Sequence, residues 1–136
     1  MAKTLAVLIK LAGRKVELAQ RQLARTQQEI QAAGAAMRRL EEDAAVAFVQ
    51  AVAEDDVLSL QAAGAVQEKA RRGIAALKEE EAALRQREGE EKARLQAHYA
   101  EQKRYEILQE RQAAAARKAQ AKKAQGALDD VAGRMK

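Results

Sequence analysis

Residues 5–47 read LAVLIKLAGRKVELAQRQLARTQQEIQAAGAAMRRLEEDAAVA and keep a seven-residue hydrophobic register without a slip. One column is Ile9, Val16, Leu23, Ile30, Met37 and Ala44. Its companion is Leu5, Ala12, Ala19, Thr26, Ala33, Leu40 and Ala47. Spacing that alternates three and four residues places both columns along one stripe of an α-helix. A repeat of seven sustained this long makes the stripe wind around a partner helix. The chain has no proline to interrupt it, so every backbone N–H is available to a helix. The spacing predicts a first helix over about residues 2–53, roughly 75 Å long.

The register fails at Glu54-Asp55-Asp56, where the companion column would place a glutamate. Aspartate and serine side chains hydrogen-bond nearby backbone, and glycine adds conformational freedom. Asp55, Asp56, Ser59 and Gly64 therefore mark residues 54–64 as the turn. From about residue 65 the helical pattern resumes and runs to about 134, on a stripe of Ala70, Ile74, Leu77, Leu84, Leu95, His98 or Tyr99, Tyr105 and Leu108. This stripe is poorer, because Glu81, Glu88 and Glu91 fall at or near seam positions.

Folding the chain back between Leu58 and Ser59 sets Ile9 against Leu108, Ala12 against Tyr105, Ala19 against His98, Ala33 against Leu84, Leu40 against Leu77 and Ala47 against Ala70. Large residues then oppose small ones, which lets helices approach closely and interlock. The expected fold is all-α: two long helices in an antiparallel coiled-coil hairpin, one domain over 1–136, monomeric, with the second helix longer and overhanging. The rival is a parallel oligomer of one unbroken helix. In the hairpin about twenty C-terminal residues outrun the first helix. From Gln109 to Ala127 no apolar side chain is larger than alanine. Leu128, Val131 and Met135 then form a short stripe with no mate within the chain. A frayed tail is one reading of this segment; a docking tip completed by another molecule is the other.

Charge is distributed unevenly. Residues 1–28 carry six bases against Glu17, and residues 103–136 carry nine bases against four acids. Between them, residues 29–102 hold ten bases against fifteen acids, and Glu41 to Asp56 contains six acids and no base. Both ends are basic and the middle is acidic. The composition favours helices and, with three aromatic residues, leaves little to fill a thick core.

The chemistry of an enzyme is missing. There is no cysteine, one histidine, one serine and two threonines, so no disulfide framework or Cys/His zinc site is expected. No glycine-rich phosphate loop precedes a Lys-Ser/Thr pair. Ser59 and His98 do not suggest a nucleophile and its base. Carboxylates such as Glu79-Glu80-Glu81 are expected to form a solvated helix face. The expectation is a non-enzyme without a cofactor. The start, Met1 to Leu11, lacks a cleavage signal and belongs to the heptad stripe, and no stretch has the length to cross a bilayer.

The heptad-patterned first helix, the acidic turn, the longer second helix, Tyr105-Glu106-Ile107-Leu108-Gln109-Glu110-Arg111, the alanine/lysine run and Leu128-Asp129-Asp130-Val131-Ala132-Gly133-Arg134 together resemble the bacterial flagellar export protein family FliJ. They also resemble the related stalk proteins of injectisomes. The C-terminal pattern is the more specific part. The resemblance implies an antiparallel two-helix coiled coil similar to the central stalk of rotary ATPases. It implies a cytoplasmic, non-enzymatic protein whose terminal end enters the pore of a hexameric export ATPase. It also implies contacts with the export gate protein and with substrate chaperones, so that membrane association is peripheral and arises only through the export apparatus. The candidate partner-binding residues are Arg111, Arg117, Lys118, Lys122, Lys123, Leu128, Asp129, Val131, Arg134 and Met135. The alternatives are a nucleic-acid-associated basic coiled coil and an injectisome stalk protein. A third is a fragment of a longer scaffold, against which the starting methionine and the charge polarity are expected to weigh.

Overall fold

The computed structural model describes residues 2–135, with side chains from residue 3 onward. Two α-helices account for nearly all of them: α1, Ala2–Glu54, and α2, Val57–Arg134. They pack against each other as an all-α hairpin, with no strand among the described residues.

The turn is shorter than the sequence suggests. Residues 54–64 were expected to be irregular, yet only Asp55 and Asp56 leave the helix. Asp55 adopts a left-handed conformation, φ 46°, and its N–H bonds the carbonyl of Ala51 at 3.1 Å. A residue of this kind just past a helix end satisfies a carbonyl that would otherwise have no partner. Asp56 then caps the next helix. Its Oδ1 accepts the Leu58 N–H at 3.4 Å and its carbonyl accepts the Leu60 N–H at 3.0 Å. With a cap in place at Asp56, α2 starts at Val57 and runs through Gly64 unbroken. Ser59 belongs to its first turns, where its hydroxyl donates to the Glu54 carboxylate.

The helices fall into two compact units. In the unit formed by Ala19–Arg94, α1 buries Ala19, Thr26, Ala33 and Ala51, and α2 buries Ala63, Ala70, Leu84 and Glu91. The flanking column Leu23, Ile30, Met37 and Ala44 is half-buried, as are Ile74, Leu77, Glu81 and Glu88. The second helix therefore carries its own heptad, Ala63, Ala70, Leu77, Leu84 and Glu91, although its last member is a charged residue. Gly73 lies under Leu40: a Cβ added there would sit 2.8 Å from Leu40 Cδ1.

In the unit formed by Met1–Leu18 with Leu95–Lys136, the buried residues are Leu5, Ala12 and Val16. Opposing them, Leu95, His98, Glu101, Gln102 and Tyr105 are half-buried. Tyr105 donates its hydroxyl to Glu101 at 3.3 Å, and Lys15 pairs with the same carboxylate at 3.8 Å. Gly13 brings α1 close to Gln102, whose Nε2 would lie 3.5 Å from an added Cβ. Leu108, expected opposite Ile9, and Tyr99, an alternative seam residue, are both exposed. His98 occupies the seam position, and Tyr105 is the last residue of α2 to be even partly covered.

Candidate partner-binding surfaces

Beyond Tyr105 every described residue of α2 is exposed. Thr4, Leu5 and Leu8 share a shallow surface pocket with Gln112. The helix nevertheless continues to Arg134. Alanine, glutamine, lysine and arginine hold it, since these residues have high helix propensity and lose little entropy in a helix.

All ten residues expected from the sequence to bind partners lie on this exposed segment. Leu128, Val131 and Met135 are among its exposed apolar side chains, Met135 at 87% exposure. They recur at intervals of three and four and so form one narrow apolar strip. Arg111, Arg117, Lys118, Lys122 and Lys123 make no ion pair among the described residues. Arg134 lies in the last helical turn, where a cation is favoured by the helix dipole. Asp129 is tied locally instead, accepting a hydrogen bond from Gln125 Nε2 at 3.2 Å. These residues share one exposed helical segment, but helical periodicity spreads them around its circumference, with Leu128, Val131 and Met135 on a common side.

A second surface was not anticipated from the sequence. Around the turn, Val46, Phe48, Val49, Val52, Val57 and Leu58 are between 51% and 73% exposed. Val46, Val49 and Val52 recur every third residue and so lie along one side of α1, whereas Phe48 points toward a different side from Val46 and Val49. Nearby, α1 and α2 border an open groove of about 610 Å³ whose floor includes Ala44, Ala45, Ala70 and Ile74, with Phe48 along it and Lys78 at its margin. The available signal was the spacing: Val46, Val49 and Val52 lie off both heptad columns.

The third feature is polar and buried. Thr26 Oγ1 lies 2.8 Å from each carboxylate oxygen of Glu91. Arg87 Nε is 3.5 Å from Glu91 Oε1, and the other end of the Arg87 guanidinium donates to Glu29. Each of these charges is answered by a neighbour, and the cluster lines an open groove of about 410 Å³ together with Arg25, Glu90 and Arg94.

No group of His, Cys, Asp or Glu suited to a metal ion occurs among the described residues. No described helix is long and apolar enough to cross a membrane. No curated protein and no solved structure matches the chain. The family described as flagellar FliJ protein does, over residues 1–135, the span on which the hairpin, the acidic turn and the exposed basic helix all lie. The chain belongs to the flagellar FliJ protein family and is a component of flagellar protein export.

Proposed function

We propose that this chain is a non-enzymatic stalk of the bacterial flagellar type III export apparatus, and that its exposed C-terminal helix docks into the ring of a hexameric export ATPase. The observation that carries the reading is the condition of residues 106–135: helical to Arg134, exposed throughout, and cationic. A slender helix with unpaired Arg117, Lys118, Lys122 and Lys123 is suited to an acidic pore. Long-range attraction brings it to the mouth, and Leu128, Val131 and Met135 supply the apolar contact inside. The export gate protein and the substrate chaperones are the further partners in this reading, which puts the protein in the cytoplasm at the inner-membrane apparatus.

The test is the steady-state rate of the purified hexameric ATPase with and without the chain. Full-length protein is expected to bind the ring and stimulate hydrolysis, less so as salt rises. Removal of residues 112–136 is expected to abolish both effects. A truncated chain that stimulates as well as the full one overturns the docking assignment.

The same cations favour a nucleic-acid reading, since a basic helix attracts phosphates without sequence preference. Against it, the segment beyond Tyr105 has no aromatic side chain on which a base could stack. Gel-shift titration against DNA and RNA at physiological salt separates the two: tight binding there, with no effect on the ATPase, favours the nucleic acid. The injectisome alternative is the less favoured one, because the family match is to the flagellar protein.

A further inference from the structure

The outward side of α1 near its start combines exposed apolar residues with free cations. Val7, Leu11 and Leu18 are each about half exposed to water, and their spacing of four and seven residues sets them within about 40° of one another around the helix. Lys3, Lys10 and Arg14 flank this strip on one side and Lys15 on the other, all of them exposed. Lys15 reaches the Glu101 carboxylate at 3.8 Å. Lys3, Lys10 and Arg14 make no ion pair among the described residues. Glu17, the one acid of residues 1–28, lies about 100° round the helix from Leu18. The inward side of the same turns is already occupied, with Leu5, Ala12 and Val16 buried.

This is the layout of a helix lying on a lipid surface. Such helices carry an apolar strip edged by Lys and Arg, whose long side chains reach the headgroups while the strip meets the acyl boundary. The strip is convex, being the outside of one helix, and suits a surface that yields around it. A second copy is disfavoured there, because it would set one cationic strip against another. Two other exposed apolar surfaces of the chain lack this combination. Val46, Val49 and Val52 stand within residues 41–67, which hold six acids and no base, and Leu128 and Val131 enclose Asp129 and Asp130.

We propose that the outward side of α1 over residues 3–18 rests on an anionic lipid surface, with Val7, Leu11 and Leu18 at the headgroup boundary and Lys3, Lys10 and Arg14 on lipid phosphates. The contact is weak and reversible, since three half-exposed side chains bury little area and no described helix is long and apolar enough to cross the bilayer. It is direct, so it adds to whatever association the export apparatus brings, and it does not depend on the ATPase reading.

The experiment is co-sedimentation of the full chain with vesicles of phosphatidylcholine alone and of phosphatidylcholine with phosphatidylglycerol, at low and high salt. The chain is expected to bind only the vesicles that contain the anionic lipid, and to release them in about 0.5 M salt. Neutralising the flank, Lys3→Gln with Lys10→Gln and Arg14→Gln, is expected to lower the affinity about fivefold for each cation lost. Val7→Ser with Leu11→Ser alters no charge and is expected to lower it by about tenfold or more. Circular dichroism confirms that each variant keeps its helices. The chain has no tryptophan, so one introduced at a time locates the contact. Leu11→Trp emission is expected to shift to the blue on anionic vesicles, and Val131→Trp emission to stay unchanged. A chain that ignores anionic vesicles overturns the proposal, as does a blue shift of Val131→Trp without one of Leu11→Trp. Undiminished binding by the Val7→Ser, Leu11→Ser chain also overturns it. A Leu11→Trp shift produced by soluble polyglutamate and not by vesicles assigns the strip to an acidic protein, and the lipid contact is then wrong.

Discussion

Thr26 of α1 gives its hydroxyl to Glu91 of α2, 2.8 Å from both carboxylate oxygens, in the middle of an otherwise alanine- and leucine-rich seam. The threonine has one proton and a second acceptor, the carbonyl of Gln22 one turn back at 3.1 Å. The two partners therefore have unequal needs. Glu91 is 8% exposed and depends on Thr26 and Arg87, whereas Thr26 can satisfy itself within its own helix.

That inequality makes the two substitutions behave differently. Thr26→Val keeps the shape but leaves a buried carboxylate short of a donor, and is expected to destabilise the fold by about 1–3 kcal/mol. Glu91→Leu removes the charge and orphans nothing, because Thr26 turns to Gln22. It is expected to be neutral or stabilising by up to about 2 kcal/mol. Urea denaturation of both single variants and the double variant measures the coupling. Equal losses from the two single changes would show that the hydroxyl and the carboxylate do not interact in this way.

Glycines inside helices give a second comparison. Gly89 faces open space, so Gly89→Ala is expected to add about 0.8–1 kcal/mol through helix propensity alone. Gly73 offers the same intrinsic gain, but the new methyl would meet Leu40 Cδ1 at 2.8 Å. Leu40 can yield only by leaving its place in the seam, so Gly73→Ala is expected to gain less than half as much or to lose stability. If the two variants gain equally, Leu40 does not occupy the space above Gly73.

What the sequence discloses follows from how each helix earns its burial. In α1 the seam is written in one chemical language, so Leu5, Ala12, Val16, Ala19 and Ala33 could be picked out by period alone, and all are buried. In α2 the same period exists, but Glu81, Glu88 and Glu91 occupy seam positions and obscure it. The pairing that set Ala33 opposite Leu84 also sets Thr26 opposite Glu91, yet a hydrophobic reading passes over a polar pair. The acidic run located the turn but not its brevity, because Gly64 suggests a break in sequence while the cap at Asp56 makes one unnecessary. The exposure of the C-terminal helix was legible from its lack of large apolar residues. What it binds was not, since a complementary surface would belong to another molecule.

Glu68 provides the pH dependence. Hydrogen bonding from Arg71, with Nη2 at 2.6 Å and Nε at 3.0 Å, is the largest influence holding its carboxyl below the ordinary 4.5, and Arg72 adds a further bond at 3.2 Å. A depressed carboxyl pKa stabilises the fold at pH values above the unfolded value, and that contribution is lost as pH falls through the folded value. The effect is small because the pair is exposed. In a carboxyl-carbon NMR titration the Glu68 midpoint is expected below 4.5 and is expected to rise in Arg71→Ala. A midpoint indifferent to that change would mean that Arg71 does not hold the carboxylate in solution.

The two turn residues should respond in opposite directions, since one is strained and the other is bonded. Asp55 carries a φ of 46°, a region costly to residues with a Cβ and free to glycine. Asp55→Gly is therefore expected to stabilise the hairpin, by about 0.5 kcal/mol after the added freedom of the unfolded chain is subtracted. Asp56 supplies the side-chain acceptor for Leu58 N–H at the start of α2, and Asp56→Ala is expected to cost about 1 kcal/mol, as loss of an N-cap does. Both changes remove one negative charge from the same acidic cluster, so any difference between them comes from backbone geometry rather than electrostatics. Thermal and urea unfolding of the two variants side by side measure that difference. Equal shifts would mean that charge repulsion among Glu54, Asp55 and Asp56 governs the turn, and that its left-handed residue and its cap do not.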